Sequence, residues 1–164
     1  MIKTERLTLD KLTERDRAPL IDMLRDGRVN AFYMVGELDD AAADRLFDAL
    51  KRLSDSSVRI VLGIYLDGEI IGMINDTGID DGAVELGWLI SPAHHNKGYA
   101  TEAVRALTHE LFSDGFNEVL AGAFEENAAS LRVMEKCSMQ RLPKEELIEY
   151  RGITHRCIYY SVKR

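Results

Sequence analysis

AVELGWLISPAHHNKGYATEAVRA, residues 83–106, is the stretch whose reading decides the fold. Val84, Leu86, Trp88, Leu89 and Ile90 make an apolar run of strand character, and Pro92 stops it. From Lys97 and Gly98 onward the apolar residues fall at Ala100, Ala103, Val104, Leu107 and Leu111, which is helical spacing. The stretch therefore predicts a strand, a glycine loop and an amphipathic helix. The first amides of such a helix lack intrahelical partners and lie at the positive end of its dipole. They form a site for a phosphate or pyrophosphate. Gly98 lets backbone approach the anion without a Cβ in the way, and Lys97 adds a point charge. A plain turn before a helix is the alternative. Neither G-x-G-x-x-G nor G-x-x-x-x-G-K-[ST] occurs here, which argues against dinucleotide and P-loop sites.

Working outward, 164 residues suffice for one domain with a sizeable core. Lys3, Glu5 and Arg6 interrupt any apolar run at the start, so no signal peptide is expected. No stretch approaches the length of a membrane span, and a cytoplasmic setting is expected. Cys137 and Cys157 form no C-x-x-C pair and read as buried free thiols. The net charge is −7 with no Lys/Arg cluster, which excludes a nucleic-acid binder. Acidity suits a cationic partner such as an amine or basic peptide; solubility alone also accounts for it.

Residues 6–9 read as a first strand. Thr13, with Asp16 three positions on, opens a helix through Leu20, Met23 and Leu24 to Gly27. Residues 30–36, NAFYMVG, are apolar and aromatic without a clear period. Asp39 or Asp40 caps a second helix with Ala43, Leu46, Phe47, Leu50 and Leu53 on one face. Residues 58–66 and 69–75 form a hairpin around Asp67-Gly68. Asp81-Gly82 turns the chain into the strand at 84–90. Residues 118–123 are a further strand, Asn127 opens a helix through Met134 and Cys137, and a last hairpin turns at Arg151-Gly152. The order β-α-α-β-β-β-α-β-α-β-β is a mixed α/β domain.

This order and three segments together resemble the GNAT superfamily of N-acetyltransferases, and within it the ribosomal-protein N-terminal and spermidine acetyltransferases. The opening TERLTLDKLTERD is similar to that branch's usual start, with its Arg-Leu step. VELGWLISPAHHNKGYATEA is similar to its acetyl-CoA motif, and ENAASLRVMEKCSMQ to its second motif. The resemblance implies one acetyltransferase domain over residues 1–164, with a central, mostly antiparallel sheet and flanking helices. Two parallel strands, 84–90 and 118–124, would splay, and pantetheine would lie between them along Trp88, Leu89 and Ile90. Pyrophosphate would sit on the amides of Asn96, Lys97, Gly98, Tyr99, Ala100 and Thr101, beside His95. Asn127 would reach the pantetheine amides; its residue-level alternative is a helix N-cap. The first helices would wall the acceptor side, where Phe32 and Tyr33 line the pocket or belong to the core.

Five positions depart from the family pattern. His95 and Asn96 stand where Gln, Arg or Trp and then Gly are common, which implies weaker cofactor binding. His can still donate, and Asn tolerates positive φ. Ser138 and Met139 replace a glycine and an aromatic, which predicts an altered helix C-terminus. Met134 stands where many members carry a tyrosine acid.

Acetyl transfer requires an amine to lose a proton, an oxyanion to be stabilised and a thiolate to be protonated. Glu85 is the candidate base, acting through water; the alternative is an outward-facing strand residue, since its neighbours Val84 and Leu86 are apolar. Backbone N–H groups near Leu89 would polarise the thioester. Ser130, one turn after Asn127, is the candidate acid; an ordinary first-turn serine is the alternative. Glu125 and Glu126 are secondary base candidates; the alternative is solvated loop charges that attract a cation. His94 and His95 are adjacent, His109 is mid-helix and His155 distant, so no metal site is expected.

The expected function is acetyl-CoA-dependent N-acetylation of a primary amine by direct attack, with acetyl-CoA as co-substrate and no metal. The cysteines have no paired histidine to support a covalent route. The acceptor is a small-molecule amine or a peptide N-terminus, with no nucleic-acid or membrane partner, and a homodimer is left open. A non-catalytic acyl-CoA sensor, or an interaction module that has lost the cofactor, are the rival readings.

Overall fold

Three two-residue turns build the antiparallel part of the sheet. Asp67-Gly68, Asp81-Gly82 and Arg151-Gly152 hold both of their residues at positive φ. The flanking residues pair directly: Leu66 with Glu69, Asp80 with Ala83, Tyr150 with Ile153. This is the hairpin turn whose twist matches that of the strands. In the computed structural model, which describes residues 1–164, the strands are β1 (Ile2–Lys3), β2 (Leu7–Asp10), β3 (Val61–Leu66), β4 (Glu69–Asp80), β5 (Ala83–Ile90), β6 (Glu118–Phe124), β7 (Gln140–Tyr150) and β8 (Ile153–Lys163). They form one sheet in the order β1-β2-β3-β4-β5-β6-β8-β7. Every neighbouring pair is antiparallel except β5–β6.

Helices cover both faces. On one face α1 (Arg17–Arg25), α2 (Gly27–Tyr33) and α3 (Asp40–Asp55) bury Leu20, Leu24 and Phe47 against Tyr65, Met73 and Leu89. On the other, α4 (Tyr99–Ser113) and α5 (Ala128–Lys136) bury Val104, Leu107 and Met134 against Ile74, Val84 and Leu86. Each such side chain contributes about 1.5–3 kcal/mol by leaving water. No helix is long and apolar enough to cross a membrane.

The caps follow the sequence. The Asp16 carboxylate accepts from the Thr13 N–H at 2.6 Å and from its hydroxyl at 2.8 Å. Asp39 caps α3 by accepting from the Ala42 N–H at 2.7 Å. Three boundaries differ from expectation; the strand read as residues 69–75 runs on to Asp80 in pairing with β5. The first helix stops at Arg25, and Asp26 caps a second one by accepting from the Arg28 N–H at 2.9 Å. Gly27 thus begins α2 instead of ending α1, and residues 27–33 are helical. Two turns are too short to display a helical period. The third strand starts at Val61 because the Asp76 carboxylate takes the Ile60 N–H and pairs with Arg59 at 2.7 Å.

The end of α5 is also not the altered terminus that Ser138 and Met139 predict. Ser138 adopts the left-handed conformation at φ 63°. Its N–H donates to Glu135 O at 3.0 Å, and the Met139 N–H to Met134 O at 3.1 Å. These are the two bonds of a Schellman cap, with Met139 and Met134 sharing one core. Serine in this conformation costs about 1–2 kcal/mol, while glycine adds about 0.4–1 kcal/mol of unfolded-state entropy. Ser138→Gly is therefore expected to gain about 0.5–1 kcal/mol. Urea unfolding reads it as a higher midpoint at constant slope; a lower midpoint would place the cap's strain elsewhere.

Candidate active site

The parallel pair is paired over only part of its length. Its rungs are Ala83 with Glu118, Val84 with Val119 and Glu85 with Leu120, although β5 runs on to Ile90 and β6 to Phe124. Beyond Glu85 the strands part. β4 covers the outer edge of β5 as far as Ile90, and β8 covers that of β6 as far as Phe124. Their inner edges therefore face a gap with peptide groups unpaired, a slot that an extended amide-bearing chain can enter like a strand. The Ser91 N–H donates to Ile71 O at 2.7 Å, toward β4. Amide direction alternates along a strand, so Leu89 also points to β4. Trp88 and Ile90, on either side of Leu89, present the amides that face the gap.

At the open end, a single 3₁₀ turn (Pro92–His94) leads into the glycine loop. The His95 Nε2 bonds the Ile90 carbonyl at 2.8 Å, so its donor fastens the loop to the strand end. Asn96 takes positive φ, 60°, and Gly98, the N-cap of α4, takes 84°. Arg6 holds this loop from across the sheet. Its Nη1 donates to Lys97 O at 3.0 Å and its Nε to Glu102 at 2.7 Å, and the guanidinium lies 4.6 Å from the Tyr99 ring centre. Glu102 also accepts from the Thr4 hydroxyl at 2.6 Å and the Arg6 N–H at 2.9 Å. Burial works to raise the Glu102 pKa, but these donors prevail and hold it below the ordinary value. The clamp joins two motif fragments, the Arg-Leu step and the Glu of GYATEA. Outside it, an open groove of about 590 Å³ gathers Lys3, Arg6, Arg105 and Lys136 against Glu5 and Glu102.

Glu85 sits on the last rung, at the fork. Val84 and Leu86 face the α4–α5 core, and Glu85 points to the opposite face, shared with Leu89 and α1–α3. It accepts from the Thr77 hydroxyl at 3.0 Å. Next to it on that face, the Tyr33 hydroxyl donates to Asn75 Oδ1 at 2.5 Å. Burial pushes the Tyr33 pKa up, so it remains a donor. Gly87 lies between: a Cβ there would stand 3.2 Å from Thr77 Cγ2 and 3.7 Å from Asn75 Oδ1. Tyr33 and Glu85 thus share one floor, to which Asn75 belongs although no local pattern singles it out. Phe32, the neighbour of Tyr33 on α2, is 40% exposed.

Asn127 caps α5, its Oδ1 accepting from the Ser130 N–H at 3.2 Å. The cap uses the carbonyl half of the amide and leaves Nδ2 for a ligand, so capping and binding are compatible here. The Ser130 hydroxyl makes no hydrogen bond within the chain. Met134 is fully buried and offers no polar group. Beyond β6, His155 stacks on Phe124 with ring centres 4.2 Å apart and contacts Glu126 at 3.2 Å. No three His, Cys, Asp or Glu side chains stand together as a metal cluster. Burial pushes the Cys137 thiol up to about 11 and raises Cys157 as well, so both are un-ionised at neutral pH.

The comparisons agree with this geometry. Residues 6–140 match the family described as the acetyltransferase (GNAT) domain. An uncharacterized N-acetyltransferase, p20, of Bacillus licheniformis is 28% identical over 146 residues, 84% of this chain and 81% of that protein. A GNAT-family acetyltransferase from Bacillus anthracis superposes with a TM-score of 0.84 at 24% identity, over 99% of this chain and 97% of that one. The spermidine N-acetyltransferase of Vibrio cholerae, solved with CoA and spermine, superposes with a TM-score of 0.84 at 14% identity, over 98% and 96%. At those identities the two structures speak for the fold. With the family match over most of its length, the chain belongs to the GNAT family of acetyltransferases and is an acyltransferase that depends on acetyl-CoA.

Proposed function

We propose that the chain, as one catalytic domain, transfers acetyl from acetyl-CoA to the nitrogen of a primary amine by direct attack. The observation that carries this reading is the ladder that stops at Glu85, with a carboxylate at the fork of the gap. Pantetheine fits along the gap-facing edge of β5, and pyrophosphate on the amides that open α4. The cationic groove beside α4 suits the phosphates of the nucleotide end, in a chain whose net charge is −7.

Glu85, through water, takes a proton from the ammonium. The neutral nitrogen attacks the thioester carbonyl carbon, and the amides of Trp88 and Ile90 face the developing oxyanion. The carbon–sulfur bond breaks, the leaving thiolate takes a proton from the Ser130 hydroxyl or from a water held by it, and the excess proton on the new amide nitrogen passes through water to restore that donor. Un-ionised thiols at Cys137 and Cys157 favour this route over an acetyl-cysteine intermediate. The acceptor enters on the face of Tyr33 and Asn75. The spermine-bound neighbour supports a cationic amine, and the buried free thiols support a reducing, cytoplasmic setting.

The test is CoA release, detected with a thiol reagent, from acetyl-CoA and a panel of primary amines. Acetyl-CoA binding by calorimetry without release for any amine would favour the sensor reading instead. A second pair of variants tests α5. Asn127→Ala is expected to raise the KM for acetyl-CoA and to lower stability by about 1 kcal/mol, because the cap goes with the ligand contact. Ser130→Ala keeps the capping N–H and is expected to lower kcat with the KM for acetyl-CoA unchanged. Unaltered kinetic constants in both would reduce this turn to a helix start.

A further inference from the structure

The N–H groups from Asn96 to Thr101 find no acceptor within the chain, and the next, that of Glu102, makes the first bond of α4, to Gly98 O at 3.0 Å. Such a run serves an anion only if the carbonyls between its amides point elsewhere. From Gly98 onward the helix takes care of this, because its own ladder occupies the carbonyls. Lys97 O lies just before the helix and has no ladder to join. Its partner is Arg6, whose Nη1 donates to it at 3.0 Å. The peptides are all trans, so the C=O and N–H of the Lys97–Gly98 link point opposite ways. Holding Lys97 O against Arg6 turns the Gly98 N–H away from Arg6.

Glu102 fixes the guanidinium for this task. One carboxylate oxygen takes Arg6 Nε and Nη2, each at 2.7 Å, and the other takes the Thr4 hydroxyl and the Arg6 N–H. The fork is planar, so the plane that satisfies Glu102 also aims Nη1 at Lys97 O. The Tyr99 ring lies along that plane's face, and Gly98 lets it come close, since a Cβ there would stand 3.4 Å from Nη2. The pairing has an electrostatic side as well. A bare carboxylate in the first turn of α4 would repel an anion bound at the same helix start, and Arg6 cancels that charge. An ammonium could supply the charge but neither the plane nor the parallel bonds.

We infer that Arg6 is a positioning residue for acetyl-CoA: through Lys97 O and Glu102 it keeps the amides of residues 96–101 turned to the pyrophosphate. This rests on the pyrophosphate placement in the acetyl-transfer reading above. Arg6 immediately precedes β2, and β3 and β4 separate β2 from the fork at β5. Its influence therefore falls on the loop that receives the phosphates and not on the slot between β5 and β6.

The test uses acetyl-CoA binding by calorimetry and amide NMR, neither of which needs an acceptor. Arg6→Met removes the fork and leaves the Thr4 hydroxyl and the backbone N–H of residue 6 on Glu102. Its Kd for acetyl-CoA is expected to rise at least about tenfold. In the ligand-free protein the amide signals of residues 96–101 are expected to move, while those of residues 119–123 on β6 stay in place. Arg6→Lys keeps the charge without the fork and is expected to show the same loss and the same shifts; it carries the test alone if Arg6→Met does not fold. A residue that only stabilises the fold would lower the urea midpoint and leave the Kd of folded protein unchanged. Wild-type affinity in either folded variant, or a loss of affinity with the loop amides unmoved, overturns the inference while the acetyl-transfer reading stands. Acetyl-CoA bound by the wild type without shifting the amides of residues 96–101 overturns the pyrophosphate placement itself, and the inference with it.

Discussion

Gly98→Val is expected to lower acetyl-CoA affinity at least tenfold, about 1.4 kcal/mol, in protein that still folds. Two structural facts act together. Gly98 holds φ 84°, where a β-branched residue is strongly disfavoured. A Cβ would also stand 3.4 Å from an Arg6 guanidinium nitrogen, with branches beyond it pressing on the clamp. Valine must therefore either move the loop amides or displace Arg6, and both alter the surface offered to pyrophosphate. The strain should appear in a thermal melt as a loss of about 1–2 kcal/mol. Affinity is measured by calorimetry well below that melt. Undiminished binding in the folded variant would put the pyrophosphate elsewhere on the chain.

Glu85→Gln is expected to reduce kcat by about 10² or more, the low end for a lost general base, and to spare acetyl-CoA binding. Glutamine keeps the size and the oxygen that accepts from Thr77, so the strand's local bonds survive. Only the capacity to take a proton is lost. The loss should be greatest at low pH, where the amine arrives protonated, and should shrink as pH rises and the acceptor supplies its own neutral form. A kcat equal to wild type at every pH would leave Glu85 as a strand residue tied to Thr77.

What the sequence discloses divides along the range of the interactions. The turns at Asp67-Gly68, Asp81-Gly82 and Arg151-Gly152 are legible because two residues with positive φ suffice to make them. The strand, loop and helix across residues 83–106 are legible for the same reason: each is specified by its own spacing. Helix α2 escapes because seven residues complete only two turns. Ser138 misleads because its side chain argues against the left-handed conformation, while two backbone bonds from outside that side chain impose it. Asn30 looks like an ordinary polar residue in an apolar run, and only the fold brings four partners to its amide. Glu85 was legible as a charge on an apolar strand, and alternation gave its face. Its neighbours there, Tyr33, Asn75 and Thr77, come from other elements. His155, far from the other histidines in sequence, lies against Phe124 and Glu126 for the same topological reason.

The Arg6 clamp has a bearing on how the chain reaches its working state. Its bonds to Lys97 and Glu102 close loops of 91 and 96 residues. Contacts of such separation form late, after the entropy of the intervening chain has been overcome. The segment around Arg6 therefore completes the cofactor loop only once the segment up to α4 has been made and folded. A chain with β3–β5 and α4 in place but its first strands undocked would carry the glycine loop without its brace. Acetyl-CoA, by binding the braced form, would draw the amino-terminal strands onto the sheet. Hydrogen exchange at the Leu7 and Leu9 amides should then slow when acetyl-CoA is added, although neither residue lies in the gap.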